Sequence, residues 1–301
     1  MAARDRSRSP AREDRRSKVL KVAREAVMAG GAAMREAWWS ASGSDVKLTK
    51  SCAVDLVTET DQKCEEIILG VIQKSFPNDR IIGEESSGSD KYADLDDSPT
   101  WTIDPIDGTT NFVHRFPQSC VIIAYMEKKD TVVSFIYDPI QNELFWAAEG
   151  QGAWLENPSV GKRKLMAPDI KSVKQAVVSM EVGYGRDPDS IKLVTGAMAA
   201  IMKEGVRTIR MSGSCGLDMA YVAAGRFNVT FEHGDWPRGR GPKIWDFAAG
   251  KLIVREAGGV TRNLEKGGKG ELDLMGRSCF AACTNELADD ILRVIGAAPS
   301  S

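Results

Sequence analysis

The sequence predicts a mixed fold, α+β in its first half and α/β in its second, with helical and sheet layers packed together. Three observations carry that prediction. Apolar runs at 119–125, 131–137 and 143–147 follow one another across short polar turns, as antiparallel neighbours do. Beyond Pro168, strand-like and helix-like segments alternate. Finally, 301 residues with 43% hydrophobic content suffice for one large core or two fused halves, with a boundary at about 150–170.

Taken in order, residues 1–17 (MAARDRSRSPAREDRRS) are nearly free of apolar side chains and are expected to form a disordered, solvated tail. Its RSRSP run also fits a phosphorylation site or an RNA-related tag, and Asp5, Glu13 and Asp14 argue against an organellar transit peptide. From about residue 18 to 297 the chain reads as the folded domain. Val19, Leu20, Val22, Ala23, Ala26 and Val27 share one helical face. A second helix fits Thr60 to Phe76, with Ile67, Ile68, Val71 and Ile72 inward and Pro77 as its stop. A strand at 101–103 precedes the three runs above. The second half continues with a strand at 176–180, a helix near 190–203, a strand near 206–210 and a helix near 215–224. Strands at 227–231 and 279–284, a helix at 246–257 and a terminal helix complete the pattern.

Composition excludes several functions. A net charge of −2 gives no basis for nucleic acid as the main ligand or for an acidic membrane surface. No apolar run approaches the roughly 20 residues that span a bilayer. Six cysteines without a CxxC pair, and only His114 and His233, make a Cys/His zinc site a poor fit. With no secretory leader read at the start, reduced thiols and a cytoplasmic location are expected. A metal here should be a hard, oxygen-bound ion.

Function is concentrated at Trp101-Thr-Ile-Asp104-Pro-Ile-Asp107-Gly-Thr-Thr-Asn-Phe112. A short apolar run delivers Asp104 and Asp107 onto a turn, and Pro105 between them blocks ordinary strand continuation. Gly108 and Thr109 offer backbone N–H groups where a helix near Thr110 would begin. Carboxylates beside an anion-binding helix start conflict unless a divalent cation lies between them, so the stretch reads as a metal-dependent phosphate site. Three more segments are candidates to converge on it: Asp55-Leu-Val-Thr-Glu-Thr-Asp61, Gly83-Glu84-Glu85-Ser86, and Trp245-Asp246-Phe-Ala-Ala-Gly250. Singly, Asp61 and Asp246 would serve as helix caps and Glu84 as a solvated turn. Asp104 differs, because a lone buried carboxylate is costly.

Those four segments, with Glu256-Ala-Gly-Gly259, resemble the inositol monophosphatase-like magnesium-dependent phosphatases over about residues 18–297. The resemblance implies a layered αβαβα sandwich of the sugar-phosphatase type, antiparallel in its N-terminal sheet and mixed in its C-terminal one. It implies two to three Mg2+ ions: one on Glu84, Asp104 and the Ile106 carbonyl, a second on Asp104, Asp107 and Asp246, and a weaker third at Glu84. Asp61 and Thr109 would orient and deprotonate the attacking water, with Glu84 beside them. Gly108 and Thr109 would grip the phosphate through their N–H groups. Gly213, Ser214, Cys215, Glu232 and Asp107 would face the polyol or sugar. Lys50 matches a family lysine near the site and reads equally as a surface lysine. Homodimers and lithium sensitivity are further implications.

The sequence departs from the family between Glu232 and Asp246, where a Gly/Pro-rich loop runs several residues long. Its Arg238, Arg240 and Lys243 could meet a second anionic group on the substrate, or lie on the surface or at a subunit contact. The expected reaction is hydrolysis of myo-inositol monophosphate by in-line attack of water. Sugar phosphates, histidinol phosphate and 3′-phosphoadenosine nucleotides are alternative esters, and a non-catalytic scaffold with an RNA-processing tail is the alternative class.

Overall fold

The computed structural model describes residues 10–40, 46–49, 56–87, 94–234, 238 and 240–296. In chain order the first half comprises α1 (Pro10–Trp39), β1 (Val46–Thr49), β2 (Leu56–Thr58), α2 (Glu59–Ser75), β3 (Arg80–Gly83), α3 (Glu84–Ser87), β4 (Thr100–Asp107) and α4 (Thr109–Val113). It continues through β5 (Cys120–Glu127), β6 (Asp130–Asp138), β7 (Glu143–Ala148), β8 (Ala153–Asn157) and β9 (Gly161–Lys164). The second half adds β10 (Val177–Glu181), α5 (Pro188–Lys203), β11 (Thr208–Arg210), α6 (Cys215–Ala224), β12 (Val229–Glu232), α7 (Ile244–Glu256), β13 (Val260–Thr261), β14 (Cys279–Ala282) and α8 (Asn285–Val294).

The layers follow from side-chain alternation. In β5, Val121, Ile123 and Tyr125 face a core shared with α1 and α2, while Cys120, Ile122, Ala124 and Met126 face α6 and α7. A strand with two buried faces must be apolar on both, which is why 120–126 reads as a continuous run. β14 splits the same way: Cys279 and Ala281 face the central helices, and Phe280 and Ala282 face α5 and α8. The order is therefore helix, sheet, helix, sheet, helix.

The first sheet runs β3-β4-β5-β6-β7-β8-β9 and the second β11-β10-β12-β14-β13. The first departs from the expected antiparallel pattern at one edge, because β3 and β4 pair in parallel, with Gly83 opposite Ile103. The connection over 84–99 is long enough for the crossover that parallel pairing needs. In the second sheet β10 pairs in parallel with both β11 and β12, and Glu181 lies opposite Glu232. Of these three parallel pairs, β3–β4 and β10–β12 bring acidic residues to the carboxyl ends of adjacent strands, the usual ligand side of such sheets.

α1 begins at Pro10, inside the segment expected to be a disordered tail. Its start is held by ion pairs: Arg15 grips both oxygens of Asp79 at 2.6 and 2.7 Å and the Tyr125 hydroxyl at 2.9 Å. Arg16 bonds Glu127 and Glu149 at 2.9 and 2.8 Å. Arginine composition that argued for solvation is used for tertiary pairing instead.

Candidate active site

β4 does not stop at Ile103 but runs to Asp107, with all eight residues buried. Asp104 pairs with Ile122 and Asp107 with Cys120, so three steps along β4 match two along β5. That is a bulge, and Pro105, which has no N–H to donate, falls within it. The bulge has a chemical consequence. In a regular strand residues three apart face opposite sides; the extra residue lets Asp104 and Asp107 converge.

Asp246 joins them from the first turn of α7, where its carboxylate also accepts the Lys243 N–H as a cap. Carboxylate oxygens of Asp104, Asp107 and Asp246 lie within 4.8 Å of one another. Asp107 is fixed by three donors on Oδ2: Ser214 Oγ at 2.6 Å, the Gly216 N–H at 2.7 Å and Cys120 Sγ at 3.6 Å. A Cβ on Gly216 would stand 2.4 Å from the Ile122 side-chain tip and 3.0 Å from that oxygen, so a larger residue there would push Ile122 aside. The Ile106 N–H donates to Asp104 at 3.0 Å. Glu84 is delivered by the end of β3 and lines the same cavity. Buried Glu65 on α2 anchors its turn by accepting the Glu85 and Ser86 N–H groups, both at 2.8 Å.

Burial and like charge raise all three clustered carboxyls. Burial, then the charge of Glu84, pushes Asp104 well above the usual carboxylate range. Burial raises Asp107 to about 6 against the pull of its Ser214 and Gly216 bonds, and burial with Glu84 and Asp107 raises Asp246 to about 7. Buried like charges this close must be protonated or metal-bound. An all-oxygen donor set suits a hard divalent ion such as magnesium, so the residues fit that group.

A cavity of about 340 Å³ opens above the cluster. Of the residues expected in the site, Glu84, Asp104, Ile106, Asp107, Gly108, Thr109, Gly213, Cys215, Glu232 and Asp246 all line it. Gly108 has φ +82° and its absent Cβ would meet the Gln118 carbonyl at 2.7 Å, so only glycine fits the turn that exposes these N–H groups. The helix behind it is short, Thr109–Val113, so the individual N–H groups matter more than any helix dipole.

Two expected residues stand elsewhere. Ser214 is buried as the N-cap of α6 and holds Asp107 instead of facing the cavity. Asp61 is fully buried in a capping box with Thr58, the role expected of it in isolation, and its Oδ1 lies 3.4 Å from Thr109 Oγ1. Thr109 Oγ1 also donates to the Ile106 carbonyl at 3.0 Å. Lys50 and Asp55 lie outside the described residues. Lys243 precedes α7 with its ammonium 5.3 Å from the Trp245 ring centre.

Sequence reasoning missed Glu181, Tyr184 and Arg186, which also line the cavity. Glu181 accepts the Ser212 and Gly213 N–H groups at 2.8 and 3.0 Å. Burial raises its carboxyl, and burial with Glu181 as neighbour raises Glu232 well above its ordinary value. The available signal was an acid ending a strand just before a Gly-Tyr-Gly turn.

Comparison with known proteins decides the family. The model of the inositol monophosphatase family matches residues 15–299. The chain belongs to the inositol monophosphatase family. Inositol monophosphatase 2 of Solanum lycopersicum is 40% identical over 275 residues, covering 91% of this chain and 96% of the relative. Inositol monophosphatase 1 of Homo sapiens is 34% identical over 252 residues, covering 84% and 86%. A solved inositol monophosphatase from Anabaena superposes with a TM-score of 0.76 at 27% identity, covering 95% and 98% of the two chains. The Thermotoga maritima enzyme gives 0.74 at 27% identity, with 94% and 97% covered. The layered α+β architecture is that of these inositol monophosphatases, and the chain is a phosphoric monoester hydrolase. No helix among its described residues is long and apolar enough to cross a membrane.

Proposed function

We propose that this phosphatase hydrolyses myo-inositol monophosphate to myo-inositol and phosphate, using two to three magnesium ions. The observation that carries the reading is the Asp104, Asp107 and Asp246 cluster within 4.8 Å, in the floor of a cavity that fits a small ester. Glu84, Asp104, Asp107, Asp246 and the Ile106 carbonyl would hold the ions. Bound there, magnesium supplies Lewis-acid chemistry: charge neutralisation on the phosphoryl and leaving oxygens, and activation of water.

The chain's own groups do the remaining work. The Gly108 and Thr109 N–H groups hold the phosphate oxygens at the lip of α4. Thr109 Oγ1 faces the cavity with Asp61 Oδ1 3.4 Å behind it, so a proton leaving the attacking water passes to the threonine oxygen while the threonine proton moves toward Asp61. Glu181 and Glu232 stand on adjacent strands, where their carboxyls can accept hydrogen bonds from the polyol hydroxyls. Gly213 and Cys215 shape the wall beside them. Phosphoryl transfer goes in line to water. The names of the tomato and human relatives support the inositol ester as substrate. A cytoplasmic homodimer and lithium inhibition are part of the proposal, supported by the family resemblance.

The test is phosphate release from myo-inositol 1-phosphate, a hexose phosphate, histidinol phosphate and a 3′-phosphonucleotide, with magnesium and with lithium. The inositol ester should show the highest kcat/KM, and lithium should inhibit. A higher kcat/KM for another ester moves the substrate assignment and keeps the site.

A further inference from the structure

The second sheet sets two hydroxyls beneath two acids. In β10 and β12, Val178, Met180, Val229 and Phe231 face the core shared with α5 and α8. Alternation turns Ser179, Glu181, Thr230 and Glu232 to the opposite face. The strands run in register, with Ser179 opposite Thr230 and Glu181 opposite Glu232. Glu181 and Glu232 line the active cavity, while Ser179 and Thr230, two residues earlier, are buried.

Asp218 of α6 meets this row from below. It is 1% exposed, and the hydrolysis does not use its carboxyl. Its Oδ2 accepts the Ser179 hydroxyl at 2.7 Å and the Thr230 hydroxyl at 3.2 Å, and its Oδ1 accepts the hydroxyl of Ser212. Asp218 is also hydrogen-bonded to Glu181. A bond between two carboxyls needs one proton between them. Burial, then the charge of Glu181, pushes Asp218 well above the usual carboxylate range, so the proton stays on Asp218 and the bond points at Glu181. Burial raises Glu181 as well, and the Gly213 and Ser212 N–H groups and Asp218 oppose that rise.

Glu181 is thereby held from two directions. The Ser212 and Gly213 N–H groups reach its Oε1 at 2.8 and 3.0 Å, and Asp218 approaches from the core. Ser212 closes the arrangement, because its N–H goes to Glu181, its hydroxyl to Asp218, and its carbonyl accepts Asn111 Nδ2 at 2.6 Å. A buried core position does not need a carboxyl, since an apolar side chain of similar volume is often as stable. What this carboxyl adds is a fixed donor to an acid in the cavity wall.

We propose that Asp218 is a positioning residue for the polyol: bonded to Glu181, Ser179, Ser212 and Thr230, its carboxyl fixes Glu181 in the orientation that meets the substrate hydroxyls. The inference rests on the proposed role of Glu181 as an acceptor for those hydroxyls. Asp218 touches no reacting atom, so it acts on recognition of the polyol and leaves the phosphoryl step alone.

The experiment measures kcat and KM for myo-inositol 1-phosphate at saturating magnesium, with inorganic phosphate as a competitive inhibitor that carries no polyol. It uses wild type, Asp218→Val, Asp218→Asn, Glu181→Gln and the pair Asp218→Val/Glu181→Gln, each checked by thermal denaturation. Asp218→Val should raise KM about tenfold, with kcat and the phosphate inhibition constant within about twofold of wild type. Asp218→Asn keeps both an acceptor and an N–H for Glu181, so its KM should return to within about threefold. In the Glu181→Gln background the valine should add less than about twofold, because both changes remove one interaction. Ser179→Ala, which takes one hydroxyl from Asp218, covers the case of an unfolded valine variant: its KM should rise about threefold with phosphate inhibition unchanged. An unchanged KM in folded Asp218→Val would overturn the proposal, as would phosphate inhibition weakened by the same factor as KM, an asparagine variant as impaired as the valine, a full tenfold effect without Glu181, or, where the valine variant does not fold, an unchanged KM in Ser179→Ala. No turnover by wild type would instead bring down the phosphatase reading itself.

Discussion

Asp107 and Asp246 carry protons in the metal-free fold that they would not carry in the unfolded chain. Their carboxyls sit at about 6 and about 7, against an ordinary value of 3.8. For groups raised in this way the stability contribution is complete below the unfolded value and is lost as pH climbs through the folded one. The vulnerable window therefore runs from about pH 4 to just above pH 7. A bound cation takes the place of the protons and removes the penalty. Melting temperature measured with a chelator should fall from about pH 5 to about pH 8, and by about 5 °C or more beyond any fall seen with magnesium. Parallel profiles with and without magnesium would show that the three carboxylates are not a cation site.

The site is made by ends of elements, and those ends meet because of strand direction. Parallel pairing of β3 with β4 sets Glu84 beside Asp104, and parallel pairing of β10 with β12 sets Glu181 beside Glu232. α1 contributes no site residue and locks the outer layer instead. Replacing Arg15 and Arg16 together by alanine should cost about 2–3 kcal/mol, because partly buried, multiply bonded guanidiniums are lost from a packed interface. Thermal denaturation should register this while KM at room temperature stays put; an unchanged melting temperature would mean that the first turns of α1 are dispensable. Composition hid this role, since arginine looks the same in a tail and in an ion pair. β9 escaped notice for a related reason: Gly161–Lys164 is exposed throughout and has no apolar alternation. By contrast β5, β6 and β7 were legible because burial on two faces demands an unbroken apolar run. Asp104 and Asp107 were legible because Pro105 in an otherwise apolar strand forces an explanation. Glu181 was not, because an acid at a strand end reads as solvated until its register with Glu232 is known.

Across the molecule, the two large sheets and three helical layers bring the carboxylates of β4 and α7 under one cavity. In the proposed mechanism, phosphate-ester hydrolysis depends on a cation held by the clustered aspartates. The most direct measurement is phosphate release from myo-inositol 1-phosphate by wild type and Asp104→Asn across a magnesium titration, with circular dichroism to confirm that both are folded. Wild type should show saturable dependence on magnesium, and the variant should lose about a thousandfold or more in kcat/KM. Undiminished turnover by folded Asp104→Asn, or by wild type in excess chelator, would contradict the account.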